Sequence, residues 1–299
     1  MLLQQIRILG RTCWSLASEK RERRDPRVEG AALARYAWAK ASTLQEGTVI
    51  MSAATAAPLH LLALNPALDR GALARDFAIN QRLQIRDVLE PDAARELRKI
   101  LAQHTPWGLA WSAGNDGPHG RRPDEMAALP ASERQRITQS VADAAQRGDY
   151  AFSFARYPIL DAYLGRWAPD SAHDILLEHI NDQPFLDLIR SVTGITELVK
   201  ADAQATLFAP SQFLGLHSDS HVGEGWRIAY VLSLAPDDWK PDWGGYLNFL
   251  DDDGDIIMGY RPRFNSLSLF AVPQPHLVSY VPPFAPVGRL SITGWFRDR

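Results

Sequence analysis

The chain has 299 residues, of which 46% are apolar and 22% charged, with a formal net charge of −3. This is the balance of a globular protein with room for one large domain, and it lacks the basic excess that a protein built on phosphate contacts requires. Cys13 is the only cysteine, which excludes an intrachain disulfide and a cysteine-rich zinc site, and suits a reducing, cytoplasmic compartment. No apolar run is long enough to span a bilayer, so no membrane partner is expected.

Residues 1–50 carry nine Lys/Arg and five Asp/Glu. Arg7 and Arg11 interrupt the apolar start Met1-Leu2-Leu3, so it is no signal-peptide core. Residues 19–27 are almost wholly charged and read as solvated. Residues 1–57 therefore read as a poorly ordered extension, or as a start set too early with Met51 as the true first residue. A basic targeting segment or partner-binding arm is the other alternative.

Residues 58–200 read as a mainly helical support region. Residues 80–88 alternate weakly through Leu83, Ile85 and Val88, as a first strand would. Pro91 and Asp92 open a helix with Ala93, Ala94, Leu97, Ile100 and Leu101 at helical spacing, and Pro106 ends it. Residues 114–123 are rich in Gly, Pro, Asn and Asp and read as a loop. Residues 132–147 form a second helix. Residues 172–193 form one or two more, broken near Pro184 and stopped at Gly194.

From residue 201 the pattern changes to short β-type runs separated by turn residues. The runs are 205–208, 213–217, 228–234, 246–250, 256–260, 266–271, 276–281 and 290–296. Asp253-Gly254 is a hairpin signal. Eight short strands predict a jelly-roll sandwich or barrel over residues 201–299, and helices before strands make the whole an α+β chain.

Candidate chemistry lies in this last part. His217 and Asp219 sit two apart in the extended stretch Phe213-Leu214-Gly215-Leu216-His217-Ser218-Asp219, so both point to one face. The pair alone is weak evidence. His276 opens a later strand, and Arg289 begins another after the turn Pro282-Pro283-Phe284-Ala285-Pro286. Antiparallel pairing of those two strands would return Arg289 to the neighbourhood of His276. Two His and one carboxylate leave open positions on iron for oxygen chemistry. Arg289 adds a planar fork that grips a carboxylate. The four residues together call for a co-substrate that chelates metal and carries a distal carboxylate, as 2-oxoglutarate does.

On these residues the chain resembles the iron(II)/2-oxoglutarate-dependent oxygenases, in particular their prolyl 4-hydroxylase-like branch. The matching pieces are residues 213–219, Gly244-Gly245-Tyr246-Leu247, Arg261-Pro262-Arg263-Phe264-Asn265-Ser266-Leu267, His276 with Val278 and Val281, and Arg289-Leu290-Ser291. The resemblance covers roughly residues 77–299 and is strongest in the last third. It implies a double-stranded β-helix (cupin-like jelly roll) with supporting helices. It implies that His217, Asp219 and His276 hold Fe(II), and that Arg289 binds the far carboxylate of 2-oxoglutarate, with Ser291 assisting and Tyr230 adding a phenolic hydrogen bond. The implied reaction consumes O2 and 2-oxoglutarate, with ascorbate as reductant, releases succinate and CO2, and hydroxylates a C–H bond of a prolyl residue in a protein or of a small molecule. Phe208 departs from relatives that place a tyrosine there. Asp219 fills the position that halogenating relatives leave empty, which favours hydroxylation.

Two other functions compete: a non-enzymatic binding module on the same fold, and a nucleic-acid demethylase of the same superfamily. The first predicts a damaged triad or a missing Arg, and all four residues are present. The second usually carries a further Arg six residues after the first, where this chain has Trp295; nucleic acid is not the expected partner. His60, His104, His119, His173 and His179 read as structural or exposed, and His221 as a contact near the motif. Trp226, Trp239 and Trp243 read as core or rim packing, with a substrate groove as the sharper alternative. Asp251-Asp252-Asp253 reads as a solvated turn. Substrate choice is expected in loops around 108–130 and 222–226.

Overall fold

The computed structural model describes residues 60–219 and 222–299; the expectations for residues 1–57 and for His221 lie outside the described residues. Helix α1 (Arg70–Asn80) leads into strand β1 (Arg82–Arg86). Helix α2 (Pro91–Gln103) starts on Pro91, whose missing N–H is not needed in a first turn, and buries Ala94, Leu97 and Leu101 along one stripe. Strands β2 (Gly108–Ala113) and β3 (Asp116–Arg121) form a hairpin, followed by α3 (Pro123–Ala128) and α4 (Ala131–Gln146). Then come β4 (Ala151–Tyr157), α5 (Ile159–Leu164), α6 (Ala172–Asn181) and α7 (Gln183–Thr193). Helix α7 stops where Gly194 takes φ 73°, a conformation glycine adopts without a Cβ clash.

The remaining strands are β5 (Lys200–Ala201), β6 (Gln204–Phe208), β7 (Phe213–Ser218), β8 (Trp226–Ser233), β9 (Leu247–Leu250), β10 (Ile256–Tyr260), β11 (Ser266–Ala271), β12 (Pro275–Val278) and β13 (Arg289–Arg297). All eight runs read from the sequence after residue 201 are strands. The hydrogen-bonded path runs β1-β11-β8-β13-β6-β4-β7-β12-β9-β10. It is antiparallel at every step and makes the two facing sheets of a double-stranded β-helix. Strand β4 joins the sheets: Ala155 to Tyr157 pair with β6, while Phe152 and Ser153 pair with β7.

Strand alternation sorts the core into an outer and an inner part. On β8, Ile228, Tyr230 and Leu232 pack under the helices with Leu97, Leu177 and Ile189. Ala229 and Val231 face the other way, into the β-helix, against Phe249 and Phe270. Asn265 ties the helical part to the sheet: its side chain accepts from the Leu89 N–H at 3.0 Å and donates to the Leu89 carbonyl at 2.7 Å.

Three expectations are corrected. Residues 114–123 are not a loop, because Asp116–Arg121 is strand β3; pairing with β2 imposes the extended form on residues that do not favour it. Strand β4 was not among the expected runs. Strands β12 and β13 do not pair: β12 lies between β7 and β9, and β13 between β6 and β8. Arg289 and His276 therefore stand on opposite sheets.

Candidate metal centre and co-substrate pocket

His217 lies near the end of β7 and His276 near the start of β12, directly opposite in register. Asp219 follows β7 by one residue. The His217 Nε2 is 3.6 Å from one Asp219 oxygen and the His276 Nε2 is 3.7 Å from the other. The two imidazoles are 4.2 Å apart, inclined at 52°. Each ring is held by its far nitrogen: Nδ1–H of His217 donates to the Gly215 carbonyl at 2.9 Å, and Nδ1–H of His276 to the Gln274 carbonyl at 2.8 Å. Those bonds fix the tautomer that leaves each Nε2 lone pair free, as metal-ligating histidines require. Burial, and then the neighbouring His217, lowers the His276 pKa to about 4, so its ring is neutral. One carboxylate faced by two available imidazole nitrogens fits a single divalent cation with open positions.

Arg289 is 3% exposed, and its Nε and Nη1 have no hydrogen-bond partner. Burial lowers its pKa to about 10, leaving it charged. Its guanidinium sits 5.5 Å from the Phe208 ring, and its methylenes lie beside Gly245. A buried cation without a counter-charge is costly, and a carboxylate is the partner its fork fits. This orphaned guanidinium is the observation that fits 2-oxoglutarate to the site. The rings of Phe208, Phe154, Phe152 and Tyr150 follow one another at 5.0, 5.4 and 5.7 Å, and Tyr150 ends 6.0 Å from His217. An aromatic wall thus runs from the arginine to the His217, Asp219 and His276 cluster.

Ser291 is fully buried and shares a 2.9 Å hydrogen bond with the Thr206 hydroxyl. Ser233 pairs with Ser291 across β8 and β13, and its own hydroxyl is buried without a partner. Tyr230 is corrected. It lies on the opposite face of β8, where its hydroxyl donates to the Asp202 carbonyl at 2.9 Å within the core under the helices. The structure does not bring it to Arg289. Thr206, Ser233 and Tyr150 were missed. Burial, and then the charge of Asp219, pushes the Tyr150 phenol up to about 12, so it stays protonated near the ligands. The alternating aromatics of residues 150–154 were the available signal for it.

Gly244 has φ 61°, and a Cβ there would stand 2.0 Å from the Tyr280 carbonyl oxygen. Only glycine admits that approach beside the pocket. Trp239 is buried and donates to the Gly244 carbonyl at 3.0 Å, so it packs rather than lining a groove. Asp251 accepts from the N–H groups of Asp253 and Asp255, as a solvated turn does. His60 and His179, read as unconnected, stack at 4.4 Å with an inclination of 5°, near Asp182. The His179 Nδ1 accepts from the Leu61 N–H, and one ligand atom from each of the three lies within 4.8 Å of the others.

The double-stranded β-helix thus carries two histidines and an aspartate on one sheet and a buried arginine on the other. Residues 203–297 match the family described as the 2OG-Fe(II) oxygenase superfamily. The enzymes of that family use Fe(II), 2-oxoglutarate and O2. Solved structures share the fold. A prolyl-4-hydroxylase from Pseudomonas putida is 21% identical, covers 77% of this chain and 99% of its own, and superposes with a TM-score of 0.51. A prolyl hydroxylase from Trichoplax adhaerens, in complex with a hypoxia inducible factor oxygen degradation domain peptide fragment, is 15% identical, with coverages of 77% and 89% and a TM-score of 0.51. An oxidoreductase of the 2OG-Fe(II) oxygenase family from Burkholderia pseudomallei is 10% identical, with coverages of 80% and 95% and a TM-score of 0.50. No curated protein matches the sequence. Among the described residues, no helix is long and apolar enough to cross a membrane.

Proposed function

We propose that His217, Asp219 and His276 hold Fe(II), that Arg289 receives the distal carboxylate of 2-oxoglutarate, and that the enzyme hydroxylates a C–H bond of a prolyl residue in a protein or of a small molecule. The observation that carries this reading is the pairing of a clustered His/Asp/His set with a buried arginine that lacks a counter-ion. Bound Fe(II) and 2-oxoglutarate supply the oxygen-activating chemistry that yields succinate, CO2 and the hydroxylated product. The chain's own residues orient and shield it. The Nδ1 hydrogen bonds keep both imidazoles aimed at Asp219. Arg289 fixes the far end of the co-substrate, with Ser291, Thr206 and Ser233 offering hydroxyls one residue row away. The wall of Phe208, Phe154 and Phe152 excludes water from the space between arginine and metal.

The prolyl acceptor rests on fold likeness to the two prolyl hydroxylases, one of which holds a peptide. In this reading residues 58–200 support the catalytic core of residues 201–299, with residues 1–57 as an extension. A cytoplasmic location suits the lone Cys13. Anaerobic addition of Fe(II) and 2-oxoglutarate to the purified chain tests the site directly. The visible charge-transfer band of the chelate is expected, together with its loss in His217→Ala, whose Fe(II) affinity should fall by at least about 100-fold, beyond the cost of losing an outer-shell partner. A wild-type chain that gives no band, with iron binding unaffected by the substitution, refutes the assignment.

A further inference from the structure

Strands β1 and β10 are the two ends of the sheet path, so the β-helix is open along the seam between them. A cavity of about 460 Å³ lies in that seam, lined by Gln84 and Arg86 of β1, Tyr260 of β10, and Tyr246, Arg261 and Arg263. It gathers three guanidiniums and no carboxylate. None of the three is ion-paired among the described residues, although the chain has more acids than bases and pairs other arginines closely: Arg297 with Asp202 and Glu224, and Arg227 with Asp298.

Arg261 and Arg263 are half-buried and tethered to β1, while Arg86 is exposed at the rim. The Arg263 Nε–H donates to the Gln84 Oε1 at 3.1 Å, and the Gln84 Nε2–H donates to the Arg261 carbonyl at 3.2 Å. One amide thus ties both arginines to β1. The Arg261 Nε is buried without a partner. Burial, and then Arg261 and Arg86, lower the Arg263 pKa from its ordinary value. Like charges fixed together repel, and an anion placed among them removes that cost. The cavity stands outside the metal centre but close to it: the Phe249 ring is 5.6 Å from Tyr260 and 6.1 Å from His276.

We propose that this seam is an anion site that binds a phosphate group, held by Arg86, Arg261 and Arg263. A carboxylate brings one charge and two oxygens; a phosphate monoester brings about 1.5 to 2 charges and three terminal oxygens, the better match to three guanidinium forks. The near-neutral net charge of the chain does not oppose this, because the three charges are local.

Titration calorimetry of the full chain with inorganic phosphate, and in parallel with phenyl phosphate, tests the site. Saturable binding of either is expected; a preference for phenyl phosphate assigns the site to an ester, and equal or tighter binding of inorganic phosphate to the free anion. Both affinities should fall by at least about 10-fold in Arg261→Gln/Arg263→Gln and weaken in the single exposed variant Arg86→Gln, which keeps the test valid if the double variant does not fold. Arg289→Gln should leave them unchanged. No saturable binding, or binding lost in Arg289→Gln but kept in the seam variants, overturns the proposal. The oxygenase reading stands or falls separately, on the chelate band.

Discussion

Arg289 makes the sharpest chemical demand in the molecule, a charged group 3% exposed with two unpartnered nitrogens. Removing one side of a buried charge pair costs about 2–5 kcal/mol. Arg289→Gln is therefore expected to weaken 2-oxoglutarate binding by roughly 30-fold to several-thousand-fold while sparing Fe(II) affinity; parallel titrations with the metal and the co-substrate check this, and an unchanged co-substrate affinity contradicts it. The residue scale was the most legible in the sequence. Two-residue spacing in an extended run put His217 and Asp219 on one face, and Arg289 offered a planar fork for a carboxylate. Tyr230 shows the limit of that reasoning. Period-two alternation says that Ile228, Tyr230 and Leu232 share a face, yet only the packed structure says which face looks inward. Ser233 was passed over for the same reason, being a small polar residue whose meaning depends on the unpartnered position it holds opposite Ser291.

At the scale of elements, His173 links α6 to the loop after α2. Its Nε2–H donates to the Thr105 hydroxyl at 2.9 Å, and that hydroxyl donates in turn to the Ile100 carbonyl. Burial, and then His104, lowers the His173 pKa from 6.5 to about 4. Because the folded value lies below the unfolded one, the unfolded chain binds the extra proton between them. The stabilisation from keeping this ring neutral is full above pH 6.5 and lost as the pH falls towards 4, amounting to about 2 kcal/mol by pH 5. Urea unfolding at pH 7.5 and pH 5 should show this loss in the wild type and a smaller one in His173→Gln; equal losses in both would assign the acid sensitivity elsewhere. Elements were legible where local pattern and tertiary role agree. The helix stops at Pro106 and Gly194 and the strands after residue 201 follow from composition. Strand β3 does not: Asp116-Gly117-Pro118-His119-Gly120-Arg121 is a turn sequence that becomes a strand because β2 supplies the partner. Strand β4 carried a period-two aromatic signal, but it lay in a stretch otherwise dominated by helices.

For the whole molecule, the proposed pocket is shared between both sheets, with Arg289 on one and the proposed metal ligands on the other. Ligands that bridge them stabilise the fold as a unit. With Fe(II) held constant and 2-oxoglutarate raised to about 100 times its dissociation constant under anaerobic conditions, the gain from the co-substrate is about 2.7 kcal/mol. That corresponds to a rise in Tm of roughly 5–10 °C for a domain of this size. The rise should shrink to about a third or less in Arg289→Gln when 2-oxoglutarate is the varied component; a rise of the same size in that variant would remove the arginine from the binding site. The placement of β12 and β13 on opposite sheets was not legible, since adjacency in sequence suggested a hairpin and only the crossing of the chain between sheets excludes it. Strand pairing across the molecule has one more consequence. Ile85 of β1 pairs with Leu267, and β4 waits for β6 and β7. A nascent chain therefore leaves the ribosome with the apolar side of its helical half uncovered until the final strands are made. Such long-range closure is slow and exposed to aggregation, so the helical half gains its cover only once the last strands have paired.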